Sequence, residues 1–100
     1  MPRDPRYDIL FEPIRIGPVV AKNRFYQPPH CNGMGEHRPN MHAGMREMKA
    51  EGGWAVIHTE HCSIHPHSDM LGEAVQTLWD DDDVAWLALM CDKVDRKSVV

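Results

Sequence analysis

The run Trp54-Ala55-Val56-Ile57-His58-Thr59 limits the folds open to this chain more than any other stretch. Its residues are apolar almost without interruption, so it lacks the alternation of a strand with one wet face. It reads as a strand buried on both faces of a parallel sheet. Gly52-Gly53 ends a helical pattern from Met41 to about Glu51, for which Asn40 is the expected N-cap and in which Met41, Met45 and Met48 share one face. Parallel strands cannot be joined by a tight turn, so a helix leading into such a strand calls for an earlier strand beside it. Arg24 to Gln27 supplies it: aromatic residues favour the extended chain, and Pro28-Pro29 stops the ladder because proline has no N–H to give.

The remaining segments fit the same alternation. Ile14 to Ile16 and Val19 to Ala21 flank Gly17-Pro18 and read as a hairpin. A loop rich in Gly, Asn and Pro covers His30 to Pro39, and a long loop covers His61 to about Leu78. Asp80 is an expected N-cap with acids at 81 to 83 in the first turn, and Val84, Leu87, Ala88, Cys91 and Val94 form the expected apolar stripe of the second helix. Hairpin, strand, helix, strand, helix is the order of an α/β fold with a parallel sheet. A right-handed crossover puts the C-terminal ends of strands 24 to 29 and 54 to 59 on one sheet edge, about 4.8 Å apart if they are neighbours. Cys31 and Glu60-His61-Cys62 are therefore expected to emerge side by side, on the edge where α/β enzymes place their active sites. An exposed thiol there can act as a nucleophile or a ligand.

Composition narrows the partners. One hundred residues make one modest domain, and 42% apolar with 26% charged residues describe a soluble globular chain. A net charge of −4 gives no reason to expect nucleic acid or an anionic membrane. Three cysteines without C-x-x-C spacing signal neither a disulfide framework nor a zinc ribbon, and a reducing cytoplasm fits them best. No apolar h-region follows the N-terminus and there is no 18-residue apolar run, so neither export nor a membrane span is expected. Cys62 and Cys91 read as structural, and Asp80 to Asp83 as a capped, solvated helix start. The rival reading is a small metal-binding module, because His58, His61, Cys62, His65 and His67 lie within ten residues. No single helix face collects them.

Several motifs in order carry a family resemblance: Phe11-Glu12-Pro13-Ile14-Arg15-Ile16-Gly17, Lys22-Asn23-Arg24-Phe25, Glu51-Gly52-Gly53-Trp54 and Leu78-Trp79-Asp80. The chain resembles the N-terminal part of the FMN-dependent old yellow enzyme superfamily. His30-Cys31-Asn32-Gly33-Met34-Gly35 is similar to the segment of its trimethylamine, dimethylamine and histamine dehydrogenases that bonds a cysteine to carbon 6 of the flavin. The resemblance implies covalent FMN at Cys31, backbone contacts to the flavin from Pro28, Pro29 and His30, and Glu60 beneath the isoalloxazine. His61 stands where trimethylamine dehydrogenase has an aromatic residue of its cation bowl. A hydrogen-bonding histidine suits dimethylamine or a histamine-like substrate better than a fully alkylated cation.

In that family an FMN-binding (β/α)8 barrel precedes a 4Fe-4S segment that passes electrons to an acceptor. A whole barrel takes about 250 residues. Residues 1–100 are accordingly expected to be a truncated N-terminal portion, the hairpin plus two βα units. The FMN phosphate site, the catalytic base and the cluster cysteines would lie elsewhere, and a homodimer would be open only to the full-length form. Alone, the chain is expected to be inactive and marginally folded, and a non-functional relic is a further alternative.

Overall fold

A computed structural model of the protein describes residues 2–35, 37–68 and 75–97, with side chains as far as residue 95. A short 3-10 helix, Pro5–Phe11, opens the chain, its first turn capped by Asp4, whose carboxylate accepts from the Arg6 N–H at 2.9 Å. Strands β1 (Ile14–Ile16) and β2 (Val19–Ala21) then form the expected antiparallel hairpin. Gly17 holds φ +57°, the left-handed conformation a two-residue hairpin turn needs at its first central position. A Cβ there would meet no neighbour, so the cost of Gly17→Ala is purely conformational. The variant should lose about 1–2 kcal/mol, read as a lower urea midpoint at unchanged slope.

Strand β3 (Tyr26–Gln27) pairs in parallel with β4 (Val56–Ile57), Tyr26 opposite Val56 and Gln27 opposite Ile57, with α1 (Pro39–Glu51) as the crossover. Asn23 locks the start of both strands: its amide donates to the Gly53 carbonyl at 2.8 Å while its oxygen accepts from the Phe25 N–H at 2.9 Å. Phe25 sits between Phe11 and Trp54 in two edge-on ring contacts, 5.3 and 6.1 Å between centroids. With Gly52 and Gly53 these residues line a cleft of about 390 Å³ at the N-terminal ends of the strands, the end that carries stability rather than chemistry in barrel folds.

The stretch expected to be one long loop contains a second short parallel pair, β5 (Cys62–Ser63) and β6 (Gln76–Thr77). The part of that loop at 69–74 lies outside the described residues. Helix α2 (Asp81–Lys97) follows and packs on α1, with Lys93 Nζ 3.7 Å from Glu47 Oε2 across the two. Asp80 Oδ1 accepts from the Asp83 N–H at 2.9 Å, the N-cap bond expected for residue 80.

Four expectations are corrected. Helix α1 begins at Pro39, with Arg38 rather than Asn40 at the N-cap position, because proline's fixed φ and missing N–H suit the first helical turn. Its buried face is His42, Ala43, Arg46 and Ala50, while Met41 and Met48 lie in solvent, 56% and 72% exposed. Small residues at 43 and 50 mark the covered side. On α2 the buried residues are Asp83 and Met90, whereas Val84, Ala88 and Cys91 are exposed. Finally, the run 54–59 is half-covered rather than buried on both faces, and Trp54 is 37% exposed. Its ladder is two residues long and β4 has a hydrogen-bonded neighbour on one edge only among the described residues.

The described apolar core is Ala21, Ala43, Ala50 and Met90, and the largest side chains fully buried are Arg46, Gln76 and Asp83. A Cα radius of gyration of 15.7 Å exceeds the ~13 Å of a compact 100-residue domain, as such a thin core demands. No described helix is long and apolar enough to cross a membrane.

Candidate functional site

The C-terminal ends of β3 and β4 meet as topology requires. Past β3 the chain runs through Pro28, Pro29 and His30 to Cys31; past β4 it runs through His58 and Thr59 to Glu60 and His61. The two segments touch where the thiol sits, the His61 backbone N–H donating to Cys31 Sγ at 3.2 Å. Cys31 is exposed, so the sulfur combines access from solvent with a fixed donor. After it, Asn32 Oδ1 accepts from the Met34 N–H at 3.3 Å, and Gly33 takes φ +77° to turn the chain away from the edge.

Beneath this edge lies Arg46. The side chain is 0% exposed, and its planar fork spans both segments: Nη2 donates to the His30 carbonyl at 2.6 Å and Nε to the His58 carbonyl at 3.2 Å. Burial pulls the guanidinium below its ordinary value, against the opposing pull of the negative charges of Glu60 and Cys31. It stays protonated, since arginine starts so far above neutrality. Lys49, one turn on, approaches His30 Nδ1 at 3.4 Å, and burial followed by the Arg46 charge lowers it.

Glu60 is 3% exposed, and neither carboxylate oxygen has a hydrogen-bond partner among the described residues. Buried carboxylates are ordinarily satisfied, so an orphan one marks a place where a donor is to be brought. Gln27, also buried, gives its amide to the Pro28 carbonyl and leaves its oxygen unpartnered. Pro28, Pro29, His30 and His61 are exposed, and the His30 ring is taken up with Lys49.

The other histidines do not assemble. His65 Nδ1 accepts from the His67 N–H at 3.1 Å, and His58 Nε2 bonds the Tyr26 hydroxyl. No group of three His, Cys, Asp or Glu among the described residues could hold a metal ion. Cys62 is half-buried, its thiol pushed up by burial and then by Asp83 and Glu60.

The family model described as NADH:flavin oxidoreductase / NADH oxidase family matches residues 9–100. The chain belongs to that family. It is 49% identical to dimethylamine dehydrogenase of Hyphomicrobium sp. (strain x) over 94 residues, 94% of this chain and 13% of that protein. Its fold superposes on histamine dehydrogenase from Rhizobium sp. 4-9 with a TM-score of 0.89 and 49% identity, covering 98% of this chain and 15% of the other. The 6-hydroxypseudooxynicotine amine oxidase of Pseudomonas geniculata N1 gives a TM-score of 0.86 at 39% identity, with the same coverage. The chain thus spans about an eighth of the length of its dimethylamine dehydrogenase relative.

At and behind this sheet edge, three residues escaped sequence reasoning. Arg46 was hidden because hydrophobic periodicity gives the inward face to methionines and treats arginine as solvent-facing. Gln27 and His42 were hidden for the same reason, although His42, Arg46 and Ala50 recur at spacings of four. That spacing, with alanine at 43, was the available signal.

Proposed function

We propose that the chain is the N-terminal part of an FMN-binding (β/α)8 barrel, residues 1–100, in an enzyme that oxidises a small secondary or imidazole-bearing amine. Its flavin would be attached through Cys31. The observation that carries this reading is the pairing, on one sheet edge of a chain in this family, of an exposed thiol held by the His61 N–H with a buried carboxylate that has no partner among the described residues. Those residues fit the cofactor. A thiol at the mouth is open to an electron-poor ring, and Glu60 has two free acceptor oxygens for ring or substrate N–H groups.

FMN, once bound, supplies a two-electron acceptor for the amine's C–H bond. The chain's own residues bind and orient. Pro28, Pro29 and His30 would offer backbone to the flavin, Cys31 would fix its position, and Glu60 would supply a buried carboxylate. His61, exposed at the strand end, would hydrogen-bond an amine that retains an N–H or carries a ring nitrogen. Onward electron transfer to a 4Fe-4S cluster, and any dimerisation, would use segments beyond these residues. The half-covered faces of β3 and β4 are those that further barrel strands and helices would cover.

Anaerobic addition of substrate to the intact enzyme tests the reaction. Dimethylamine or histamine should bleach the flavin absorbance, and NADH should not. Bleaching by NADH with neither amine active would replace this reading with a nicotinamide-linked reductase.

A further inference from the structure

We propose that Arg46 is a positioning residue for Cys31: it ties the two strand ends together so that the exposed sulfur rests on the His61 N–H, and this sets how readily the thiol reacts. The inference rests on Cys31 as the flavin attachment point, but it concerns the sulfur before any flavin arrives.

Both halves of the sulfur contact hang from carbonyls that Arg46 holds. The His30 carbonyl belongs to the peptide group that leads into Cys31, and the His58 carbonyl lies three residues before His61. A planar guanidinium reaches both at once, which a flexible ammonium does not reproduce. Burying this charge costs several kcal/mol before compensation, and no carboxylate lies within ion-pair distance of it among the described residues. The guanidinium is tied instead to the edge itself through the two carbonyls, with Glu60 near enough to act on its charge. The Glu60 carboxylate, buried and without a partner among the described residues, is the independent sign that this corner is built for a ligand.

The titratable and charged groups around the edge are Arg46 and Lys49 on α1, Glu60, and the exposed His30 and His61. His42, on the same face of α1 as Arg46, has its pKa lowered to about 4 and adds no charge at neutral pH. Of the cations, Arg46 is the one that two hydrogen bonds hold to both strand ends.

The test is the pH dependence of iodoacetamide alkylation on the flavin-free polypeptide, resolved by peptide mass spectrometry, with exposed Cys91 as the reference in the same sample. Cys31 should react about three- to tenfold faster than Cys91 at pH 7. Arg46→Gln should bring Cys31 down to the Cys91 rate, and Arg46→Lys, which keeps the charge but not the fork, should fall between. A general loosening would instead raise half-buried Cys62. Equal Cys31 and Cys91 profiles in the unsubstituted chain overturn the proposal, and so does a Cys31 profile indifferent to Arg46→Gln. If that variant loses its helical circular dichroism, the Cys31–Cys91 comparison decides alone. Covalent flavin on a Cys31 whose profile ignores Arg46 would sink this inference only. An Arg46-dependent Cys31 that never takes up flavin would sink only the attachment reading.

Discussion

Asp83→Ala should destabilise the fold by about 3 kcal/mol. Asp83 is 2% exposed although it sits in an acidic run that reads as solvated. Its Oδ1 accepts from the Thr77 hydroxyl at 2.8 Å and its Oδ2 from the Trp79 N–H at 3.1 Å, so one side chain ties β6 to the first turn of α2. Alanine removes a charged acceptor from both, the Thr77 hydroxyl being buried and the Trp79 N–H partly so. Asp83→Asn keeps one acceptor oxygen and should cost about half as much. Urea titration followed by helical circular dichroism checks both. A loss of under 0.5 kcal/mol for alanine would mean that water replaces the carboxylate at no cost.

Acid should weaken the fold through His42. This imidazole is 2% exposed and neither ring nitrogen has a partner among the described residues. Burial first, then the Arg46 and Lys49 charges, hold its pKa at about 4 against an ordinary 6.5. As pH falls below 6.5 the unfolded chain takes up the proton and the folded chain does not. Stability therefore drops between about pH 6.5 and pH 4 and levels off below, by roughly 3 kcal/mol in all. His42→Leu fills similar volume, breaks no described hydrogen bond and should remove that slope while leaving stability at pH 8 equal or higher. The difference between the two urea-derived pH profiles isolates the imidazole from the carboxylates that titrate in the same range. Parallel profiles would show that His42 is protonated in the folded protein.

The chain order of elements was legible because it is written in punctuation. Gly17-Pro18 set the hairpin turn, Pro28-Pro29 stopped β3, Gly52-Gly53 ended α1, and Asp80 capped α2. The meeting of Cys31 with His61 was legible too, since a parallel pair with one crossover helix has only one edge at which its strand ends can emerge. What lies inside was not. Arg46, His42 and Asp83 are buried polar residues whose placement depends on carbonyls and hydroxyls contributed by distant segments, which hydrophobic periodicity does not register. The methionine face of α1 and the Val84, Ala88 and Cys91 side of α2 misled for the complementary reason: they are apolar but uncovered in this chain.

Flavin attachment through the sulfur of Cys31 can be read directly by peptide mass. Trypsin cuts after Arg24 and spares the Arg38-Pro39 bond, so Cys31 is carried on the peptide Phe25 to Arg46. In the intact enzyme made with FMN, that peptide should carry the mass of the flavin after denaturation, and Cys31→Ser should release all of its flavin on the same treatment. An unmodified Phe25 to Arg46 peptide from a yellow enzyme whose flavin is wholly released by acid would contradict the account.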